Sequence, residues 1–402
     1  MTRILHVTLN ETSVGTLTLL PSGGSFFAFD DGYLNNPERP VLSQSFFRPS
    51  GALIPESKAS SGKLPLFFSN LLPEGHMREY LAERGGIKPS HEFRLIELLG
   101  QDLAGAVIIT PLEGGPMEIQ PPEEPKTDRS LQPLRFSLAG EQLKFSAILG
   151  KHGGLTIPAS GVGGDWIVKL PAQNYAHVPQ NEYAIMDLAS RIGIPVPEIK
   201  LVPMSDIGNL PDMGMLAGSQ ALAVKRFDRT PDKNRIHIED FAQVYNISPD
   251  KKYEGVSFAA MARMVWDLSS ETGLTDFIRR LVFTILTGNG DMHLKNWSFI
   301  YKDGKTPSLA PAYDFLSTVP YIPKDGLALN LSGTKDMYLV DKEHFERLAK
   351  KAQVPEHLVL QTVRNTVEAT HTAWAEYSKH YDLPSDIRNS IQLHMNKLKL
   401  RS

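Results

Sequence analysis

A chain of 402 residues with 41% hydrophobic content is long enough to bury a sizeable core in more than one domain. Its 42 basic and 45 acidic residues leave a formal charge of -3, which excludes a global field drawing it onto nucleic acid, so any DNA contact needs a local patch or a partner. The absence of cysteine excludes disulfides, zinc–cysteine sites and thiol catalysis.

The chain opens with "RILHVTLN", which alternates like a strand and carries no apolar signal region, and no apolar run reaches bilayer-spanning length. A cytoplasmic protein with no membrane association is the expectation. The segments "ILHVTL", "VGTLTLL", "GSFFAFDD" and "PVLSQSF" predict a small, mostly antiparallel sheet. Helical spacing follows in "LPLFFSNLLPEGHMREYLAERGG" and "EFRLIELLG", and "AGAVIITP" returns to strand, making 1–112 a β-rich N-terminal domain. Between Leu112 and Pro133 the chain is rich in Pro, Gly and charge without periodicity, so 113–133 reads as a linker.

Strand-like stretches resume around "FSLAGEQLKFSAIL", "DWIVKLP" and "ALAVKRFDR", with a helix at "NEYAIMDLASRIG", over 134–229. From Phe258 the reading is mostly helical, "EHLVLQTVRNTVEATHTAWAEYSKHY" being one amphipathic example, so 230–402 forms a helical lobe.

Within that lobe, "GNGDMHLKNW" at 288–297 places Asp291, His293, Lys295 and Asn296 in one polar loop. Leu274, Phe277, Ile278, Leu281, Val282, Ile285 and Leu286 precede it at the spacing of a helix with a buried face, which ends at Gly288 and Gly290. After Asn296, "WSFIY" reads as a strand, "KDGK" as a hairpin turn and "SLAPAYDF" as a second strand ending at Asp314. Helix, loop with Asp and Asn, hairpin and second Asp is the order in which protein kinases assemble a proton acceptor and two magnesium ligands. Asp291, Asn296 and Asp314 fit those roles, and oxygen ligands of this kind suit a hard cation that offsets phosphoryl charge. Asp and Asn are common in turns, and each alone reads as a helix-capping loop; the three in this order favour the site.

A kinase also needs a lysine for the phosphates and a cover over them. Lys169 lies inside the apolar "DWIVKLP", where it is either buried against an anion or an edge-strand lysine reaching water. Gly140 in "FSLAGEQLK" can bend a loop over phosphates, although one glycine alone is only a turn. "ALAVKRFDR" suits a hinge that binds adenine through its backbone. Glu182 either pairs with Lys169 or is an acidic residue favoured near a helix N-terminus.

Taken together, "FSLAGEQLK", "IVKLP", "NEY", "LAVKRFDR", "EDFAQ", "GNGDMHLKNWS" and "LAPAYDFLS" resemble the HipA-like serine/threonine kinases, toxins of bacterial toxin–antitoxin pairs. The pair "GDxHxKN" and "PAYD" is the most specific part, and with the β-rich N-terminal domain the resemblance spans nearly the whole chain. It implies an α+β, protein-kinase-like fold, a β-rich ATP lobe and a mostly helical C-terminal lobe, behind a small β-rich N-terminal domain. It implies ATP and Mg2+ as cofactors, with Asp291 as proton acceptor and Asn296 and Asp314 as magnesium ligands. His293, Leu294, Lys295, Asn296, Tyr313 and Asp314 would lie at the nucleotide, and Lys169 would be the ATP lysine. Ala139, Gly140, Glu141, Gln142, Leu143 and Lys144 would form the phosphate loop, and Lys225, Arg226 and Phe227 the hinge.

Ser137 matches the serine that the family phosphorylates on itself, ejecting the loop; a phosphate there adds almost two negative charges beside a site built for phosphates. The resemblance further implies protein substrates among the aminoacyl-tRNA synthetases, growth arrest, and a small helix-turn-helix, HipB-like antitoxin through which alone the kinase joins DNA. Lys397, Lys399 and Arg401 form a small basic tail that touches phosphates or is simply solvated.

Two other readings compete. "GDMH" also resembles the Asp-x-His element of metallophosphoesterases, but the chain has no Gly-Asn-His-Asp/Glu segment. A catalytically weak or inactive scaffold acting as co-repressor with the antitoxin is the other, and intact Lys169, Asp291, Asn296 and Asp314 argue against it.

Overall fold

Alternating apolar side chains build the first sheet. In the computed structural model, which describes residues 3–59, 61–112, 144–149, 155–156, 163–210 and 216–400, strands β1 (Arg3–Leu9), β2 (Thr12–Leu19), β3 (Ser25–Phe29), β4 (Glu56–Ala59) and β5 (Val107–Pro111) pair antiparallel in the order β4-β3-β2-β1-β5. Leu5, Val7 and Leu9 share one face of β1 and are buried in one core with Leu17 and Phe27 and with Leu95 and Ile96 of the helix Glu92–Leu99. "PVLSQSF" does not form the expected strand. Ser43 caps a 3-10 turn at Gln44–Phe46, its Oγ accepting from Ser45 N at 3.1 Å, and Phe46 is still buried, packing on Phe29 with centroids 5.0 Å apart. The polar edge strand β4, "ESKA", has no apolar alternation to announce it.

The chain divides into two units that are not contiguous in sequence: Met1–Leu143 with Asp228–Asp250 and Tyr301–Lys305, and Lys144–Phe227 with Lys251–Ile300 and Thr306–Ser402. This differs from the contiguous boundaries expected above. The reason is a set of polar contacts between distant segments of the first unit: Arg229 pairs with Asp102 at 3.0 Å, Gln44 N donates to Glu239 at 3.1 Å, and Val41 N donates to Gly304 O at 2.8 Å.

In the second unit, β6 (Lys144–Leu149), β7 (Leu155–Thr156), β8 (Trp166–Lys169), β9 (Ile199–Pro203), β10 (Ile207–Gly208) and β11 (Gln220–Lys225) form a sheet in the order β10-β7-β6-β8-β11-β9. β8 is interior, with Lys169 opposite both Lys144 and Leu222, so the edge-strand alternative for Lys169 falls away. The helix Val178–Arg191 follows, with Ala184, Ile185 and Leu188 buried. β9 lies at the sheet edge and is only partly buried, so it has no alternating buried face to mark it.

The helix Phe258–Thr287 breaks at Ser270, whose φ of 53° and ψ of -147° are not helical. All seven apolar positions that marked its second half, from Leu274 to Leu286, are 0% exposed. Helices Lys342–Ala352, Glu356–Tyr377 and Ser385–Lys397 pack on it. It ends at Gly288, whose φ of 66° favours glycine and where an added Cβ would lie 2.7 Å from Val319. The hairpin follows as Ser298–Tyr301 paired with Ser308–Leu309; the expected second strand stops there and does not reach Asp314, which adopts φ 56°. Among the described residues no helix is long and apolar enough to cross a membrane.

Candidate active site

The loop after Gly288 is held by its own polar side chains. Asn289, 1% exposed, accepts from Asp291 N at 3.0 Å through Oδ1 and donates to Asp314 O at 3.4 Å through Nδ2, joining the two aspartate segments. Gly290 N donates to Thr318 Oγ1 at 2.9 Å. Asn296 Nδ2 donates to Asp291 O at 2.8 Å, which leaves the Asn296 side-chain oxygen as the group suited to a cation. Tyr253 Oη donates to Asp291 Oδ1 at 2.6 Å. Burial pushes the Asp291 carboxyl up to about 7, against the opposing hydrogen bond from Tyr253 and the nearby charge of Lys252.

His293 is buried, with the ring of Tyr253, the residue that also binds Asp291, edge-on at 5.0 Å between centroids. Leu294 is buried too, and its N–H donates to Lys252 O at 3.1 Å.

Asp314 is the focus of positive charge. Lys169 donates to its Oδ1, and Lys144 Nζ lies 3.0 Å from its Oδ2. Lys169 also pairs with Glu182, and both are almost fully buried, which decides between the two sequence readings of Glu182 in favour of the ion pair. Burial alone would raise the Asp314 carboxyl, but the charges of Lys144 and Lys169 outweigh it and hold the group far below the usual carboxylate range. Burial alone would lower Lys169, and Asp314 and Glu182 outweigh it in turn, holding the ammonium charged well beyond the ordinary lysine range. Carboxylate and amide oxygens such as those of Asp314 and Asn296 are the ligand type magnesium prefers, although Lys169 and Lys144 pair with the two Asp314 oxygens in this structure.

One residue before Glu182, Asn181 is fully buried and hydrogen-bonds the Ser317 backbone through both its side-chain oxygen and nitrogen.

The residues expected to form the hinge, Lys225, Arg226 and Phe227, lie in the same unit. Lys225 N donates to Glu198 O at 2.8 Å and Arg226 N to Asp165 O at 2.9 Å, so both of these N–H groups are used within the fold. The Lys225 side chain pairs with Glu198 at 3.2 Å on an exposed surface. The Phe227 ring lies 5.7 Å from that of Tyr313, whose hydroxyl donates to Lys295 O at 2.9 Å. Phe227, Lys295 and Tyr313 thus come together, as do Lys144, Lys169 and Asp314. Ser137 and the loop Ala139, Gly140, Glu141, Gln142 and Leu143 lie outside the described residues.

Sequence reasoning missed Tyr253, Asn289 and Asn181. Tyr253 lies in the polar run "DKKYEG", which has no periodicity. Asn289, inside the quoted loop, could have been found as a side chain able to bridge both ways across a tight turn.

Two family models match the chain, the HipA N-terminal domain over residues 5–110 and the HipA-like C-terminal domain over residues 136–374. The candidate kinase Y4dM of Sinorhizobium fredii is 48% identical over 403 residues, covering 99% of this chain and 97% of that protein. The serine/threonine-protein kinase toxin HipA of Shewanella oneidensis is 28% identical over 314 residues, covering 69% of this chain and 68% of the toxin. Among solved structures, the Shewanella oneidensis complex of HipA, HipB and operator DNA contains a chain that matches with a TM-score of 0.75 at 23% identity, covering 98% of this chain and 95% of that one. That likeness shows the fold, an α+β, protein-kinase-like architecture.

Proposed function

The chain belongs to the HipA-like kinase family, and on that premise we propose that it is an ATP- and magnesium-dependent serine/threonine protein kinase serving as the toxin of a toxin–antitoxin pair. The observation that carries the reading is the convergence of Asp291 and Asn296 with an Asp314 already paired to Lys169, the two aspartate segments bridged by Asn289.

In this reading Asp291 accepts the proton of the substrate hydroxyl. Asn296 and Asp314 would hold magnesium, which when bound offsets charge on the phosphoryl oxygens. Lys169 and Lys144 would bind phosphate oxygens, with Ala139, Gly140, Glu141, Gln142 and Leu143 completing the loop over them. Phe227 and Tyr313 would flank the adenine beside the backbone of Lys225 and Arg226, with His293, Leu294 and Lys295 supporting the nucleotide from the catalytic loop.

The substrate proposed is a protein, an aminoacyl-tRNA synthetase, in the cytoplasm, and Ser137 is the site of autophosphorylation. The partner proposed is a HipB-like helix-turn-helix antitoxin. The formal charge of -3 supports DNA contact through that partner rather than through the kinase's own overall field.

Intact-mass measurement after incubation with ATP and magnesium, followed by phosphosite mapping, tests the proposal. One phosphate on Ser137 of the wild type, lost in Asp291→Asn and Asp314→Ala, is the expected result. Initially unphosphorylated protein that binds ATP and gains no phosphate would overturn autophosphorylation and favour a scaffold acting with the antitoxin.

A further inference from the structure

Tyr253 belongs to none of the motifs that mark the site, yet its side chain ends on the carboxylate assigned to the substrate proton. The 2.6 Å from its Oη to Asp291 Oδ1 is typical of a hydroxyl donating to a charged carboxylate. The ring packs on His293, and the backbone around it is tied down. The two rings stand at 83°, the Lys335 ammonium donates to Tyr253 O at 3.3 Å and to Ala328 O at 2.7 Å, and the preceding residue, Lys252, accepts from Leu294 N at 3.1 Å. Segment and catalytic loop are therefore joined through both side chains and backbone.

A carboxylate that acts as a general base must present one oxygen to the hydroxyl it deprotonates, and rotation about its last torsion moves that oxygen away. A fixed donor on the other oxygen suppresses the rotation without taking part in the proton transfer. Resting on the kinase reading, we propose that Tyr253 is a positioning residue, binding Asp291 Oδ1 so that Oδ2 receives the proton of the substrate hydroxyl. The tyrosine keeps its own proton throughout.

The full-length Tyr253→Phe protein tests this through the ATP dependence of phosphate transfer, ADP affinity by calorimetry, and the unfolding midpoint. The expected result is a kcat lower by roughly 10- to 100-fold, the loss typical when a residue orienting a reactive group is removed, with KM for ATP, ADP affinity and the unfolding midpoint unchanged. A kcat equal to wild type overturns the inference. A faster variant also overturns it, because the hydroxyl would then be blocking the position of the substrate hydroxyl. Parallel losses of ADP affinity and stability overturn it in favour of a structural role. A wild-type protein that binds ATP and transfers no phosphate sinks the kinase reading itself, whereas wild-type transfer with an unaffected Tyr253→Phe sinks only the role of Tyr253.

Discussion

Asn181 and Ser317 exchange two hydrogen bonds, Asn181 Nδ2 donating to Ser317 O at 2.8 Å and Ser317 N donating to Asn181 Oδ1 at 3.1 Å. The neighbour of Asn181 is Glu182, which pairs with Lys169, and Ser317 lies three residues beyond Asp314. The helix Val178–Arg191 and the segment carrying Asp314 are thus joined twice, by the clamp and by the ion pairs through Lys169.

Replacing Asn181 with Leu leaves a buried backbone donor and acceptor unsatisfied. The expected cost is about 2 to 4 kcal/mol, read from the urea unfolding midpoint. Asn181→Asp keeps the acceptor but faces an oxygen toward the Ser317 carbonyl, and a comparable loss is expected. Stability within a few tenths of wild type in both variants would show that the clamp contributes nothing.

The Lys144 ammonium sits on the Asp314 oxygen that Lys169 does not use. A divalent cation arriving without nucleotide meets a carboxylate already neutralised on both oxygens. Lys144→Met is therefore expected to bind manganese alone severalfold more tightly than wild type, measured by titration of the nucleotide-free protein. Equal affinity would contradict this competition.

In the first unit, Glu239 and His237 titrate in opposite senses. Burial pushes Glu239 from an ordinary value of 4.5 up to about 7, so its contribution to stability is present below pH 4.5 and is lost as pH rises through about 7. Burial pushes His237 from 6.5 down to about 4, so its contribution is present above pH 6.5 and is lost as pH falls through about 4. Between pH 4.5 and 6.5 the two slopes cancel. Glu239→Gln removes one, and its stability is expected to rise over this window by about 1.4 kcal/mol per pH unit relative to wild type, measured by urea unfolding at several pH values. Parallel pH profiles for the two proteins would refute the assignment.

Gly288, at φ 66°, turns the chain from the buried helix into the loop that carries Asp291. Gly288→Ala adds the left-handed penalty of about 1 to 2 kcal/mol and presses a Cβ against Val319, so lower stability and slower phosphate transfer are expected together. An unfolding midpoint equal to wild type would argue against strain at this turn.

What could be read from the sequence follows physical rules. The stripe from Leu274 to Leu286 has one buried face, so its helix and the loop after it were legible from periodicity. Lys169 could be singled out because a lysine in an apolar strand needs an anion, but its neighbours Glu182 and Asp314 lie 13 and 145 residues away and only the fold brings them together. Tyr253, 38 residues from Asp291 in a polar loop, left no pattern. The edge strands β4 and β9 escaped because each buries too little to show alternation, and 228–250 joins the first unit through contacts that have no period.

The most direct test of the central claim is transfer of label from γ-labelled ATP with magnesium to protein serine or threonine, with purified aminoacyl-tRNA synthetases present and absent. Wild type, Asp291→Asn and Asp314→Ala would be compared. The account predicts label with wild type and a loss of at least about 100-fold in each variant. Folded wild-type protein that binds ATP yet transfers no label, or an Asp291→Asn protein as active as wild type, would contradict it.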